Sequence, residues 1–276
     1  MINKKSNSGV SIAIRKTLFS LKNNQPLLDN TKPKEFTVRV ANSMEEREAV
    51  FKLAYQVYLD KGYVHENANQ WLINSYDTAQ DTVILIVLDT QKNIAGSLTM
   101  VFDSREKLPA DKIYHEELNQ LRHSRKRLTE ISRLVISPDY RNSKEILILL
   151  FNYMAIYASQ IKKIDNVIIE VNPRHKEYYK SILCFEEVGS EKPCPQVKDA
   201  PAILLSLPVK KYQSEVLRCR KASILEKKER TLYPFFLKTE QEPLVAQYLD
   251  KQTKAMSVEE KIYFGFSESG LYQVAY

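Results

Sequence analysis

Near the middle of the chain, the run from Leu128 to Ser137 (Leu-Thr-Glu-Ile-Ser-Arg-Leu-Val-Ile-Ser) is apolar enough for a buried strand, yet it carries Glu130 and Arg133. Burying either charge alone costs several kcal/mol, so each needs a partner or a task. In a regular strand these two positions point to opposite faces of the sheet. They share a face only if a bulge inserts one extra residue, a device common beside active sites. A bulge or splay around Ser132–Leu134 is therefore expected if the two charges act together.

The segments on either side read as an alternation of strands and helices. Phe36-Thr-Val-Arg-Val-Ala41 alternates as a first strand, and Ser43 with Glu46 three residues on opens a helix that runs to about Asp60 and ends at Gly62. Thr82–Asp89 is a continuous β-branched run, as in a strand buried on both faces, and Ile94–Asp103 returns beside it. Pro109–Ser124 has helical character and leads into the basic cluster Arg122, His123, Arg125, Lys126 and Arg127. Lys144–Lys162 predicts a long helix packed on the sheet, Asn166–Val171 a strand, Pro173 the start of a short helix, and Cys184–Val188 and Ala202–Leu207 the last strands. The order gives an α/β class with a mixed sheet, which a ferredoxin-like or doubly wound fold fits nearly as well. Three parts are expected: an arm at 1–35 with a short amphipathic helix, a mixed-sheet domain at 36–208, and a basic helical extension at 209–276. Pro234 and Pro243 break that extension, and Gly265 and Gly270 bracket its last turn.

Composition narrows the class. No stretch reaches the roughly 18 apolar residues that span a bilayer, and the Val10–Ile14 run is too short for a secretory signal. Cys184, Cys194 and Cys219 lack metal-ligand spacing, so no metal is expected and a reduced cytoplasm is the expected home. The net charge of +7 sits in the flanks: residues 1–39 hold eight Lys/Arg against two acids, and 209–232 hold eight against three. Such flanks suit an acidic protein, an anionic membrane touched peripherally, or plain solvation. Nucleic acid is not expected, because no basic-aromatic stripe accompanies the charge.

Several segments, read together, resemble the GNAT-type acyltransferases, and more narrowly the N-acyl amino acid synthases related to the acyl-homoserine-lactone (autoinducer) synthases. The residues that carry this likeness are Leu53-Ala-Tyr-Gln-Val-Tyr58, Tyr76-Asp77, Gly96-Ser-Leu98, Thr129-Glu-Ile-Ser-Arg-Leu134, and Val171-Asn-Pro-Arg-His175 with Tyr179 and Phe185. Together they cover roughly residues 36–208. The resemblance implies a GNAT-like mixed sheet flanked by helices. It also implies transfer of a fatty acyl group from acyl carrier protein to the amine of an amino acid or similar small molecule. This chain departs from the family pattern at Ala54 and Thr99, where arginine is usual, and at Cys184, where glycine is usual at a helix-to-strand corner.

On that reading Glu130 is the candidate base, Arg133 its neighbour, and Tyr179 the acid that protonates the leaving thiolate. Ser132, Leu134 and Val135 would line the acyl donor, with Arg141, Asn142 and Ser143 taking its phosphate at a helix N-terminus. Tyr55, Tyr76 and Asp77 would hold the acceptor amine, although Asp77 could equally cap a local turn. His175 is read as structural. Coenzyme A needs a glycine-rich nest for its pyrophosphate, and the turn Asp139–Lys144 has no glycine. No permanently bound cofactor is expected, and the donor is a phosphopantetheine thioester, on acyl carrier protein rather than coenzyme A. Lys210, Lys211, Arg218, Arg220, Lys221 and the Arg122–Arg127 cluster would steer that carrier. The competing readings are a coenzyme A-dependent N-acetyltransferase and a diverged, inactive homologue that only binds.

Overall fold

The structure, a computed structural model, describes residues 36–221 and 231–269. The arm at 1–35 and Gly270 lie outside them. Seven strands form one sheet: β1 (Thr37–Val40), β2 (Val83–Leu88), β3 (Ile94–Phe102), β4 (Leu128–Ile136), β5 (Asn166–Val171), β6 (Glu186–Cys194) and β7 (Ala200–Pro208). Their order is β1-β2-β3-β4-β5-β7-β6, and among the described residues only the β4–β5 pair is parallel. The helices are α1 (Met44–Asp60), α2 (Asp111–His123), α3 (Lys144–Ile156), α4 (Lys176–Leu183), α5 (Val209–Lys221), α6 (Glu242–Gln252) and α7 (Val258–Tyr263).

The run at β2 is buried throughout because the sheet is covered on both faces, as continuous apolar strands require. Val83, Leu85 and Val87 meet α3 in the larger core, whereas Ile84, Ile86 and Leu88 meet Val50 and Phe51 of α1. Ser43 caps α1 as its sequence implies, its side chain accepting from the Glu46 N–H, while Glu46 reaches back to the Asn42 N–H at 3.1 Å. The core helix α3 approaches β3 closely. A Cβ added at Gly96 would lie 2.8 Å from Ile146 Cγ2, so only glycine fits without displacing α3.

Residues beyond 208 are built into the same core. Tyr212, Val216, Leu232, Tyr233, Phe236, Val245 and Leu249 join the cluster that contains α3. Gln252 accepts from the Val40 N–H at 3.1 Å and so satisfies the edge strand β1. On the opposite face Arg47 of α1 is buried against Glu260 of α7 and donates to the Lys254 carbonyl at 2.6 Å. Pro234 lies in a 3-10 turn and Pro243 in the first turn of α6, a position that tolerates proline.

Two elements differ from expectation. The strand expected at Cys184–Val188 runs from Glu186 to Cys194, hidden from pattern reading by exposed polar residues and by Pro193. It is an edge strand, which accepts both. The helix expected to reach Lys162 is α-helical to Ile156 and closes with a π-type turn at Tyr157–Ile161. Cys184 caps α4 with φ +59°, the left-handed conformation that glycine adopts without cost. Cys184→Gly is expected to leave stability unchanged or slightly raised, and Cys184→Val to lose about 1–2 kcal/mol, measured by urea unfolding. Equal stability of the two variants would show that the cap carries no strain.

Candidate active site

The expected bulge is present. Thr99 of β3 pairs with Arg133 and Met100 with Ile131, which leaves Ser132 as the extra residue of β4. The insertion returns Arg133 to the face that holds Glu130 and aims both into one cleft of about 420 Å³. The pairing of β4 with β5 ends at Ile131↔Ile169. Beyond it β4 stays with β3 and β5 with β7, and the two strands part. Ser132 and Leu134 line the gap from one side and Val171 from the other, with Phe151 and Tyr179 beneath.

Within this cleft the two buried charges have separate partners. Oε2 of Glu130 accepts from the Ala110 N–H at 2.8 Å, just before α2, and the residue lines the cleft. Burial pushes this carboxyl up to about 8, against the Ala110 hydrogen bond, with the charges on Glu170 and Asp111 adding to the rise and Lys112 opposing it. Arg133 instead holds Asp77, with Nη1 donating to Oδ2 at 3.0 Å and Nη2 to Oδ1. Its guanidinium carbon lies 5.8 Å from the Phe51 ring centre. Asp77 also accepts from the Asn74 N–H at 2.8 Å in a capping box. Arg133 therefore pins the connection between α1 and β2 onto β4, and no ion pair joins it to Glu130.

Other expected positions move. Asp77 is consumed by Arg133, and Tyr55 is buried with its hydroxyl accepting from the Asn67 N–H at 3.2 Å. Tyr76 packs beside α2 with the Lys112 ammonium 5.8 Å from its ring centre, and neither tyrosine lines the cleft. Val135 faces Ala54 and Val57 instead of the cleft. Arg141 and Asn142 are exposed, and Ser143 occupies the N-cap of α3 without a side-chain capping bond. None of these three lines the cleft. Ala54 and Thr99 are fully buried small side chains away from it. Arg122 is held by Asp103 and Asp111, which removes it from the expected carrier surface.

Tyr179 does line the cleft, within edge-on contacts to Phe151, Tyr178 and Phe185. Burial keeps its hydroxyl protonated far above neutral pH. Sequence reading overlooked Glu170, Lys112, Cys194 and Lys61, all on the wall. Glu170 offered the same signal as Glu130, an acid inside an apolar strand. Its carboxyl is raised by burial, and the Cys194 thiol that bonds to it is pushed up to about 12, chiefly by burial. Among the described residues no cluster of His, Cys, Asp or Glu could hold a metal ion, and no helix is long and apolar enough to cross a membrane.

A mixed sheet that opens between two parallel strands, with a carboxylate and a tyrosine at the opening, defines a GNAT-like N-acyltransferase architecture. A family model described as "N-acyl amino acid synthase FeeM" matches residues 49–208, more than half of the chain, and the chain belongs to that family. Acyl transfer to an amine is the activity this membership supports. Among solved structures, FeeM, an N-acyl amino acid synthase from uncultured soil microbes, is 23% identical with a TM-score of 0.60, covering 68% of this chain and 100% of its own. The acyl-homoserine-lactone (AHL) synthase LasI is 15% identical with a TM-score of 0.50, covering 64% and 91%. BjaI, a CoA-dependent acyl-homoserine lactone synthase, is 14% identical with a TM-score of 0.51, covering 68% and 92%. These likenesses establish the shared fold. No curated protein matches the chain.

Removing one partner of a buried ion pair costs roughly 3–5 kcal/mol, because the other charge is left uncompensated. Asp77→Asn and Arg133→Gln are each expected to cost about that much in denaturant unfolding. The double variant should lose little more than either single one. Additive losses would show that the two side chains act apart.

Proposed function

We propose that the protein transfers a fatty acyl group from a phosphopantetheine thioester to the amine of an amino acid or similar small molecule, with Glu130 as the base. The observation that carries this reading is the Glu130 carboxyl, held on one oxygen by the Ala110 N–H and lining the cleft that opens where β4 and β5 part. The donor's pantetheine arm would lie in that gap, where the edges of Ser132 and Leu134 are unpaired with β5. There it can hydrogen-bond as an extra strand does.

The acceptor's neutral nitrogen attacks the thioester carbon, a C–N bond forms and the C–S bond breaks. Glu130 removes the ammonium proton, directly or through water, and Tyr179 gives its phenolic proton to the departing thiolate. Desolvation suits both roles, since it raises Glu130 towards working pH and keeps Tyr179 protonated. Arg133 and Asp77 act by holding the front wall in place. Lys112 and Glu170, which share the cleft wall with Glu130 and act on its charge, are charged groups available to the acceptor in place of Tyr55, Tyr76 and Asp77.

Acyl carrier protein is the proposed donor, because the turn before α3 offers no glycine nest for a pyrophosphate. Lys210 and Lys221 of α5 are exposed for a carrier, whereas Lys211, Arg218 and Arg220 are engaged with Glu186, Glu215 and Glu242. The competing donor is acyl-coenzyme A, favoured by the shared fold with CoA-dependent BjaI. Mixed acyl carrier and acyl-coenzyme A thioesters, incubated with an amino acid pool, should give new amides from the carrier thioesters, detected by mass. Amides from acyl-coenzyme A alone would reverse the donor assignment, and none from any pairing would remove the enzymatic reading.

The raised carboxyl of Glu130 sets the sign of the pH response. Only its minority carboxylate form acts as base at pH 7, so kcat/KM should rise about tenfold per pH unit as pH approaches about 8. Glu130→Gln is expected to lower kcat by about 10²–10⁴ with an unchanged melting temperature or a higher one. A variant with wild-type kcat and pH profile would dismiss Glu130 as the base.

A further inference from the structure

The mouth of the cleft carries positive charge on Lys61 and Arg174 that no salt bridge among the described residues neutralises. Lys61, just after α1, and Arg174 and His175, just after β5, line it together. Neither Lys61 nor Arg174 makes a salt bridge among the described residues. Arg174 is held by neutral groups: Nη2 donates to the Tyr63 hydroxyl at 2.7 Å and Nε to His175 Nε2 at 3.1 Å. A third cation, Arg141, stands on the turn that leads into α3, with the Asp60 carboxylate 3.8 Å away. These groups feel one another. Desolvation, then the charges on Arg174 and Arg141, hold the Lys61 ammonium below its usual range, and desolvation followed by Arg174 and Lys61 does the same to His175.

The ends of α1 and β5 thus bring like charges together at the open end of a cleft whose floor is apolar and whose centre is acidic, and Arg141, outside the lining, adds its charge to theirs. An arrangement that repels itself when empty is stabilised by an anion. Arg141 ties the cluster to the α3 N-terminus, whose Ser143 makes no side-chain cap.

We propose that Lys61 and Arg174, backed by Arg141, seat the phosphate of the donor's pantetheine arm. This rests on the acyl-transfer reading above. It moves the phosphate from the turn residues Asn142 and Ser143, which do not line the cleft, to side chains that do. Phosphate recognition by flexible cations needs no glycine nest, which accounts for a donor site built on a glycine-free turn. Carrier protein and coenzyme A both present this phosphate, so the seat serves either donor.

The test uses the whole chain and reads binding without turnover. Calorimetric titration with 4′-phosphopantetheine and with pantetheine should show the phosphorylated arm binding about tenfold tighter, with a gap that narrows as salt is raised. In Lys61→Gln/Arg174→Gln the two probes should bind within about twofold of each other, and Arg174→Lys should keep part of the preference. Both residues are solvent-exposed, so the double variant should melt like the wild-type chain. Equal binding of the two probes by the wild type would overturn the proposal, as would a preference that survives the double substitution. A double variant that instead loses discrimination between an amino acid and its decarboxylated amine would also overturn it, by assigning the cations to the acceptor. Coenzyme A titrated alongside separates the sources: binding equal to 4′-phosphopantetheine keeps one phosphate as the recognised group, and much tighter binding overturns that by requiring the pyrophosphate or nucleotide. Turnover without a phosphate preference would sink the seat alone, whereas a phosphate preference without amide formation would sink the enzymatic reading alone.

Discussion

One inserted residue organises this molecule. Ser132 breaks the register of β4 against β3, and that break brings Glu130 and Arg133 to the same face of the sheet. It also coincides with the end of pairing between β4 and β5, so the strands part where the two charged side chains emerge. A regular strand would have buried one of these charges against α3, in an apolar layer with nothing to receive it. The bulge offsets that cost and opens the cleft with the same insertion.

The two charges then serve different ends. Arg133 and Asp77 form a buried bidentate pair that fixes the α1–β2 connection to the central strand, and Phe51 lies against the guanidinium. A guanidinium fork matched to a carboxylate suits such a pin, because it sets distance and orientation together. Glu130 receives one backbone hydrogen bond and, among the described residues, no ion pair, so desolvation outweighs the Lys112 charge and the proton is held to about 8. Had Arg133 paired with Glu130, the carboxylate would have stayed ionised and weakly basic. Separating the pair leaves a base poised near the pH at which amines begin to lose their protons.

The segment after β7 shares this economy. Its helices cover the α3 side of the sheet, satisfy the edge strand β1, and close the opposite face through the buried Arg47–Glu260 pair. The basic residues that look like one surface in sequence divide by contact. Arg122, Arg218 and Arg220 are spent on nearby carboxylates, while Lys61 and Arg174, far apart in sequence, meet at the cleft mouth.

The sequence by itself determined the element order, the doubly covered strand at Val83–Leu88, the cap at Ser43 and the need for a bulge near Ser132. Each follows from local periodicity or from the cost of a buried charge, which neighbouring residues already specify. The resemblance to the family, not periodicity, marked Cys184 as a place where glycine is usual, and the left-handed backbone there explains it. Only the tertiary structure decided that Asp77 belongs to Arg133, that Tyr55 is tied to the Asn67 backbone, that Val135 turns from the cleft, and that Glu170, Lys112 and Lys61 line it. Those outcomes depend on which elements lie side by side, from 12 residues apart for Tyr55 and Asn67 to 56 for Asp77 and Arg133. The chemistry of a side chain is written in its own residue, whereas its partner is chosen by the packing of the whole sheet.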